Sequence, residues 1–455
     1  MKTIAFFLGP VVALALGLTM LQFGYSSAMC WTAGVTTLVA IWWIFEPISI
    51  PASSLIPLAV FPLANVLSEA DVAAAYGDKL VLLMFGEFML SAAMEKSGAH
   101  RRIALGMVNL FGGSNGKALV FGFMAASAFL SMWISNAATT LMLLPIAMAV
   151  VNQTENRRLQ ISLLLGIAYA ASVGGVGTPI GSPPNVVFIS ALGAHTGSEM
   201  SFVDWMAYAL PIVLLMLPIV GIWLTRGLSQ IEAIELPNVG SWRREEVLTL
   251  LVFGITALMW VTRQQPFGGW STLLGIPQAN DAQVAILGSI AMFLVPNGKG
   301  SKLLDWETAK NIPWGILLLF AGGICIAKAF GVSGLSAELG GLLASLNALP
   351  VLLLIGAICL AVTFLTEVTS NTATTTLLMP ILLAAAIASE MDPKIFMIPA
   401  TISASFAFML PVATPPNAII FGSQKLAVKD MVREGLVLNL IGVVVVTALC
   451  FLLIR

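Results

Sequence analysis

Apolar residues gather along the chain in blocks at 4–24, 29–47, 51–67, 80–95, 118–152, 160–193, 207–225, 247–262, 282–296, 312–330, 349–388, 395–422 and 434–454. About 20 helical residues cross the hydrocarbon core of a bilayer, so most blocks predict one membrane helix each. Two blocks, 118–152 and 349–388, are too long for a single crossing, and each is broken near its middle by a polar Ser-Asn pair. The second contains TEVTSNTATTT (366–376), in which nine of eleven residues are Thr, Ser, Asn or Glu. Such a block is either two full spans or a re-entrant hairpin that enters and leaves on one side. At 35 and 40 residues the blocks are short for two crossings, and the hairpin is the better fit.

The basic residues agree with that reading. With a cytoplasmic N-terminus and both broken blocks as hairpins, sixteen Lys and Arg, from Lys2 to Arg433, fall on the cytoplasmic side. Only Lys79, Arg263, Lys394 and Arg455 fall outside, and Lys328 lies within a helix. Cytoplasmic loops are enriched in Lys and Arg, and a single crossing by either block would invert everything after it. The expected fold is an all-α polytopic membrane protein with about eleven transmembrane helices and two re-entrant hairpins, multi-pass in the inner (plasma) membrane.

An internal repeat runs through the same segments. SNAATTLMLLPI (135–146) and SNTATTTLLMPI (370–381) match at 8 of 12 positions with an offset of 235. The same offset relates Phe85 to Phe320, and Ser-Gly pairs at 97–98 and 333–334 are offset by 236. GSPPN (181–185) answers ATPPN (413–417) at an offset of 232. The first hairpin opens from the cytoplasm and the second from outside, so the halves are expected to be inverted repeats.

Composition narrows the class. The chain has 455 residues, 58% hydrophobic and 9% charged, against roughly 25% charged in soluble proteins. A net charge of −1 implies no strongly acidic or basic partner, and nucleic acid is not an expected ligand. Cys30, Cys325, Cys359 and Cys450 are scattered through apolar segments without metal-ligand spacing and read as small core residues. The first apolar run is too long for a signal peptide and reads as a membrane helix. No HExxH, GxSxG or paired-aspartate pattern supports a membrane-embedded hydrolase, so no enzyme activity is expected.

The polar interruptions carry the chemistry. Non-helical backbone at membrane depth is tolerated only around a cavity or inside protein. Broken helices at the midplane of a repeat commonly form transporter sites, with helix N-termini facing an anion and freed carbonyls facing cations. Apart from Glu87, Glu95, Lys328 and Glu367, the expected core has almost no formal charge. Many neutral donors suit a small, multiply charged oxyanion whose charge is balanced by co-bound cations. Carbonyl, amide and hydroxyl oxygens suit Na⁺, a hard ion of the kind that prefers oxygen ligands. A proton-coupled carrier would more often bury a carboxylate or histidine relay. His100 and His195 are expected in loops, which leaves Glu367 as a relay candidate or as an anchor held by helix dipoles.

At these residues the chain resembles the divalent anion/sodium symporter (DASS) family, and the likeness runs over essentially the whole length. The resemblance implies a homodimeric, elevator-type secondary transporter for a dicarboxylate of the succinate, malate and fumarate class, coupled to at least two Na⁺. It implies a scaffold from residues 1–98 (four helices) and 227–334, and a transport domain from 99–226 and 335–455. Carried over by motif, one sodium site uses Ser131, Ser135, Asn136 and Gly181, and the other uses Thr366, Thr369, Asn371 and Ala413. Substrate lies between Ser135-Asn136-Ala137 and Ser370-Asn371-Thr372, flanked by Ser182-Pro183 and Thr414-Pro415. The first tip departs from the pattern, because Ala137 stands where the family usually has Thr. Gly177, in GGVGTP (174–179), competes with Gly181 for the first sodium site. Sodium-independent exchange and sulfate transport on the same scaffold remain alternatives.

Overall fold

The computed structural model describes residues 2–454 apart from 112–114, 198–199, 229–239, 265–267 and 344–348; Arg455, placed outside by the charge pattern, lies beyond the described residues. Every described element is helical except for one isolated bridge between Pro296 and Lys302. The first half begins with α1 (Lys2–Gln22) and α2 (Ser27–Phe45), followed by the short α3 (Ile50–Ser53), α4 (Ile56–Leu63) and α5 (Glu69–Tyr76), then the long α6 (Lys79–Ser97). The block at 51–67, expected as one span, is thus divided. Pro51 and Pro57 sit in the first turns of α3 and α4, where the missing N–H of proline is tolerated.

After α6 come α7 (Ala99–Phe111), α8 (Gly116–Ser131), α9 (Asn136–Val151), α10 (Arg157–Gly175), α11 (Pro183–Thr196) and α12 (Phe202–Thr225). The middle of the chain supplies α13 (Arg244–Val261), α14 (Gly269–Leu273), α15 (Asp281–Leu294) and α16 (Trp306–Ala309). The second half then repeats the order of the first: α17 (Trp314–Ser333), α18 (Leu335–Leu343), α19 (Val351–Thr366), α20 (Asn371–Ala388), α21 (Pro393–Ser405), α22 (Pro415–Phe421) and α23 (Val428–Leu453). Thus α6–α12 and α17–α23 are each a long helix, a short helix, a helical hairpin, a broken helix pair and a long closing helix.

The repeated Ser-Gly pairs are the elbows between the first two of these elements. Gly98 and Gly334 have φ of 75° and 84°, the left-handed region that glycine enters without steric cost. Ser97 and Ser333 then accept from the backbone N–H of Ala99 and Leu335 at 3.3 and 3.4 Å. The chain is turned sharply at the same point in both halves.

Each long block folds into two helices joined by a four-residue link, 132–135 and 367–370. The helices have 16, 16, 16 and 18 residues, so each is about 24–27 Å long. The three of 16 residues, α8, α9 and α19, fall short of the roughly 30 Å hydrocarbon core. Seven described helices are long and apolar enough to cross a bilayer: α1, α2, α10, α12, α17, α20 and α23.

The centre of the molecule is α10, which is 89% buried over its apolar window, whereas α1 is only 17% buried. Small residues permit the close packing: a Cβ on Gly174 of α10 would lie 2.3 Å from the Ala128 carbonyl of α8. A separate apolar core joins α2, α4, α5 and α17 through residues such as Val39, Trp43, Phe61, Val72 and Phe330. Buried ion pairs fasten the helix ends. Arg102 of α7 meets Glu246 of α13 at 2.9 Å, and Arg158 and Arg226 meet Glu434 of α23 at 2.6 and 2.7 Å.

Candidate functional site

The two hairpin tips are built alike. In the first, Ser131 at the end of α8 donates to Asn136 Oδ1 at the start of α9, at 2.6 Å. In the second, Thr366 at the end of α19 donates to Asn371 Oδ1 at the start of α20, at 2.8 Å. Five residues separate hydroxyl and amide in each case, so the bond spans the turn and fixes the Asn side chain across it. Thr140 and Thr375 donate to the backbone carbonyls of Asn136 and Asn371, both at 2.8 Å. Among the described residues, neither Asn136 Nδ2 nor Asn371 Nδ2 has a hydrogen-bond partner, which leaves both amide donors available to a ligand.

The tips also differ. Ser135 caps α9 by accepting from Ala138 N at 3.2 Å, whereas Ser370 makes no side-chain cap to α20. Thr372 is half-buried, and its hydroxyl has no partner among the described residues. By contrast, the Thr369 hydroxyl lies 2.8 Å from Leu365 O and 2.5 Å from Thr374 Oγ1. Of the side chains assigned to the second sodium site, Thr366 and Asn371 are joined, while Thr369 is turned toward Thr374. Ala137, the counterpart of Thr372, is half-buried and brings no hydroxyl.

The broken helices supply backbone oxygen beside the tips. Segment 176–182 links α10 to α11, and segment 406–414 links α21 to α22. A Cβ on Gly175 would lie 2.3 Å from Asn136 Oδ1 and 2.9 Å from Gly181 O. One on Gly181 would lie 2.6 Å from Gly175 O and 2.7 Å from Ser131 O. Gly175 is therefore packed against the Asn136 amide and Gly181, and Gly181 against the carbonyls of Gly175 and Ser131. Gly177 instead backs onto the Met132 side chain, with a Cβ 3.0 Å from its Cε. At the second tip, Thr366 Oγ1 lies 3.0 Å from the Ala404 carbonyl of α21. Ala413 is buried, and its N–H donates to Leu410 O at 3.2 Å. Among the described residues no three His, Cys, Asp or Glu side chains come together to hold a metal. Apart from the Glu367 carboxylate, the oxygens at the tips are neutral, a set suited to a hard monovalent cation.

The broken segments are tied to each other as well. Ser182 and Ser405 share a hydrogen bond of 3.2 Å, and Tyr169 of α10 donates to Phe408 O at 2.5 Å. Thr414 accepts from Asn417 N at 3.2 Å. Pro183 is half-buried and Pro415 is exposed.

Glu367, which the sequence left as relay or anchor, is an anchor by its bonds. Its carboxylate accepts from Met409 N and Leu410 N, both at 2.9 Å, and from Asn439 Nδ2 at 2.7 Å. The donors are a non-helical link and α23 rather than a helix N-terminus. His100 and His195, expected in loops, lie in the first turn of α7 and the last turn of α11.

Cover over the tips is uneven. Trp133, in the first tip, stacks on Phe202 at 6.1 Å and meets Phe253 of α13 edge-on at 6.1 Å. Phe202 stacks in turn on Trp260 of α13 at 5.6 Å. Around the second tip, Val368 and Val412 are 63% and 78% exposed. A separate cavity of about 640 Å³ lies between α17, α11 and α20 and reaches Thr376, one helical turn beyond Thr372. Sequence reasoning missed Gly175, Ala404, Ser405 and Thr374. Three of these act through backbone oxygen or one hydroxyl in an apolar helix and leave no distinctive pattern.

Comparison with known proteins adds to this geometry. The family model described as the sodium:sulfate symporter transmembrane region matches residues 3–453. The chain is 37% identical over 474 residues to the sodium-dependent dicarboxylate transporter SdcS of Staphylococcus aureus, with 98% of this chain and 90% of that protein covered. Among solved structures, the YdaH transporter of Alcanivorax borkumensis superposes with a TM-score of 0.61 at 14% identity, covering 84% of this chain and 87% of that one. MtrF of Neisseria gonorrhoeae gives 0.60 at 13% identity, covering 86% and 83%. At those identities the likeness to both is one of fold.

Proposed function

The chain belongs to the sodium:sulfate symporter transmembrane family, and from that membership we propose that it is a sodium-coupled symporter of small dicarboxylates of the succinate, malate and fumarate class. It is a transporter and not an enzyme. The observation that carries the reading is the pair of hydroxyl–asparagine clamps at 2.6 and 2.8 Å, each with a free amide donor beside neutral oxygens.

In the proposed cycle the first sodium ion is held by Ser131, Ser135, Asn136 and Gly181, and the second by Thr366, Thr369, Asn371 and Ala413. The packing of Gly181 against Ser131 and Gly175 favours it over Gly177 as the first-site ligand. Because the Thr369 hydroxyl is engaged with Leu365 and Thr374, the residue contributes through its carbonyl. The dicarboxylate sits between Ser135-Asn136-Ala137 and Ser370-Asn371-Thr372, with Ser182-Pro183 and Thr414-Pro415 at its sides. Each Asn amide bonds a cation through its oxygen and a carboxylate through its nitrogen, which couples the two bindings.

The proposal extends to architecture. The 16-residue hairpin helices α8, α9 and α19 support re-entry over crossing, and the bias of Lys and Arg puts the N-terminus in the cytoplasm. Residues 1–98 and 227–334 form the scaffold of a homodimer, and 99–226 and 335–455 form the transport domain that moves as an elevator. The weakly buried, apolar α1 offers a face for lipid or the second subunit.

Uptake of labelled succinate into proteoliposomes, with and without an inward sodium gradient, tests the function. Accumulation above equilibrium only with the gradient is expected. Gradient-independent uptake that requires internal anion would replace symport by exchange, and competition by sulfate stronger than by malate would replace the substrate class.

A further inference from the structure

The two Pro-Pro-Asn segments were conspicuous in the sequence only as helix breaks. In the structure their asparagines make the same unusual set of bonds. Asn185 Nδ2 donates to Gly175 O at 3.0 Å, Thr178 O at 2.8 Å and more distantly Val176 O at 3.4 Å. Asn417 Nδ2 donates to Ala407 O and Leu410 O, both at 3.0 Å. Each amide thus reaches back from the third residue of the second half-helix to carbonyls in the link, and in the first half also to Gly175 at the end of α10. Both side chains are fully buried, and among the described residues neither Asn185 Oδ1 nor Asn417 Oδ1 has a partner.

A buried acceptor without a donor is costly, and this chain bears that cost twice, at matching positions of its two halves. A hydrophobic residue of the same volume would avoid it, so the donated bonds must matter more than the orphaned oxygen. The gripped carbonyls show why. Gly175 O, held by Asn185, is the atom against which Gly181 packs, 2.6 Å from where a Gly181 Cβ would be. Leu410 O, held by Asn417, is the atom that accepts the Ala413 N–H at 3.2 Å. In both halves the Asn is one contact away from the next-to-last residue of the link, Gly181 or Ala413. Pro183 and Pro184, like Pro415 and Pro416, have no N–H to compete for those carbonyls.

We propose that Asn185 and Asn417 are the positioning residues of the two sodium sites, each setting the backbone of its broken helix so that Gly181 or Ala413 presents its carbonyl to the cation at the neighbouring tip. Neither asparagine touches the ion. This rests on the sodium-coupled reading above and deepens it. Freed carbonyls at a helix break point in whatever direction their φ and ψ allow, and a side-chain amide that gathers two or three of them leaves the remaining one aimed outward.

Asn185→Leu and Asn417→Leu keep the branched shape of the side chain, with somewhat greater bulk, and remove the donors. In proteoliposomes at saturating succinate, each should raise the half-saturating Na⁺ concentration about tenfold. Succinate KM measured at saturating Na⁺ should stay within about twofold of wild type, because excess cation restores the occupied site. The stabilisation of the purified protein by added Na⁺, read as a Tm shift, should shrink in parallel. A merely structural staple predicts a lower Tm with an unchanged sodium half-saturation, and that result overturns the proposal. A succinate KM that stays raised at saturating Na⁺ also overturns it, by moving the asparagines to the substrate site. If a Leu variant does not fold, Asn185→Ser and Asn417→Ser, which retain one short donor, are judged by the same criteria. Wild-type uptake indifferent to Na⁺ would defeat the sodium-coupled reading itself. Sodium-dependent wild type with unaltered variants would defeat this inference alone.

Discussion

Replacing Thr372 with valine removes one hydroxyl and keeps the shape of the side chain. Most neighbouring threonines spend their hydroxyls on the hairpin: Thr369 on Leu365 O, Thr375 on Asn371 O and Thr376 on Thr372 O, each at 2.8 Å. The Thr372 hydroxyl is bonded to nothing in the hairpin among the described residues, and the residue is half-buried. Thr372→Val therefore breaks no internal bond, and its stability cost should be within about 0.5 kcal/mol. A hydrogen bond to a charged group contributes about 1.5–3 kcal/mol, which corresponds to roughly ten- to a hundredfold in affinity. The dicarboxylate KM should rise by at least about tenfold at saturating Na⁺ with Tm nearly unchanged. Thr375→Val is the internal control. Its hydroxyl is buried and committed to Asn371 O, so it should lose about 0.5–1.5 kcal/mol of stability and alter KM much less. Initial rates of labelled succinate uptake and thermal melts of both purified variants supply the comparison. An unchanged KM in Thr372→Val together with a lowered Tm would show that the hydroxyl serves the hairpin and would remove it from the substrate site.

Four further outcomes are expected. Ala137→Ser should lower the succinate KM or leave it unaltered, and a severalfold rise would show that the first tip has no room for a hydroxyl. Asn371→Ala should weaken Na⁺ and succinate together, since its amide oxygen is clamped by Thr366 while its nitrogen is free; normal sodium dependence with poor substrate affinity would exclude the shared role. Glu367→Gln replaces an acceptor facing three donors and should destabilise the protein by about 2 kcal/mol or more, without creating or abolishing any response of uptake to a proton gradient; a lost proton response would restore the relay reading. Cysteine at exposed His195 should react with an impermeant maleimide from outside and cysteine at exposed Ser241 only from the cytoplasm, over a low background because all four native cysteines are buried; labelling of both from one side would sink the hairpin topology.

The hairpins and breaks were legible because hydroxyls and amides are conspicuous inside apolar blocks, and the structure puts Ser131 with Asn136 and Thr366 with Asn371 as the repeat suggested. The short helices α7 and α18 were not read, since a scan for apolar blocks passes over a helix such as AHRRIALGMVNLF, whose polar residues lie on one side. Prolines 51, 57 and 62 marked the block at 51–67 as unfit for one straight helix, a signal outweighed there by its hydrophobicity. Backbone ligands such as Gly175 O and Ala404 O have no residue signature at all. Glu367 stood out as an anomaly, but its donors lie 42, 43 and 72 residues away, and no local pattern reports them. The asparagines of the Pro-Pro-Asn segments are visible in the sequence only as part of a break, because what they grip depends on how the broken helix returns.

The absence of mobile charge around the tips determines which loaded forms the bilayer admits. Glu367 is caged by three donors, so in the proposed cycle the charge that differs between forms is that of the cargo. A dianion with two sodium ions sums to zero, and the empty carrier likewise adds nothing. In the proposed cycle a single bound sodium ion, or the dianion alone, changes the charge that crosses relative to the empty carrier, so its transit responds differently to voltage. With two sodium ions, as proposed, the complete and the vacant carrier would cross with the same charge, and only a partial load would differ. A third sodium ion would end that neutrality and make the loaded transit respond to voltage by roughly 2.3 kcal/mol per 100 mV.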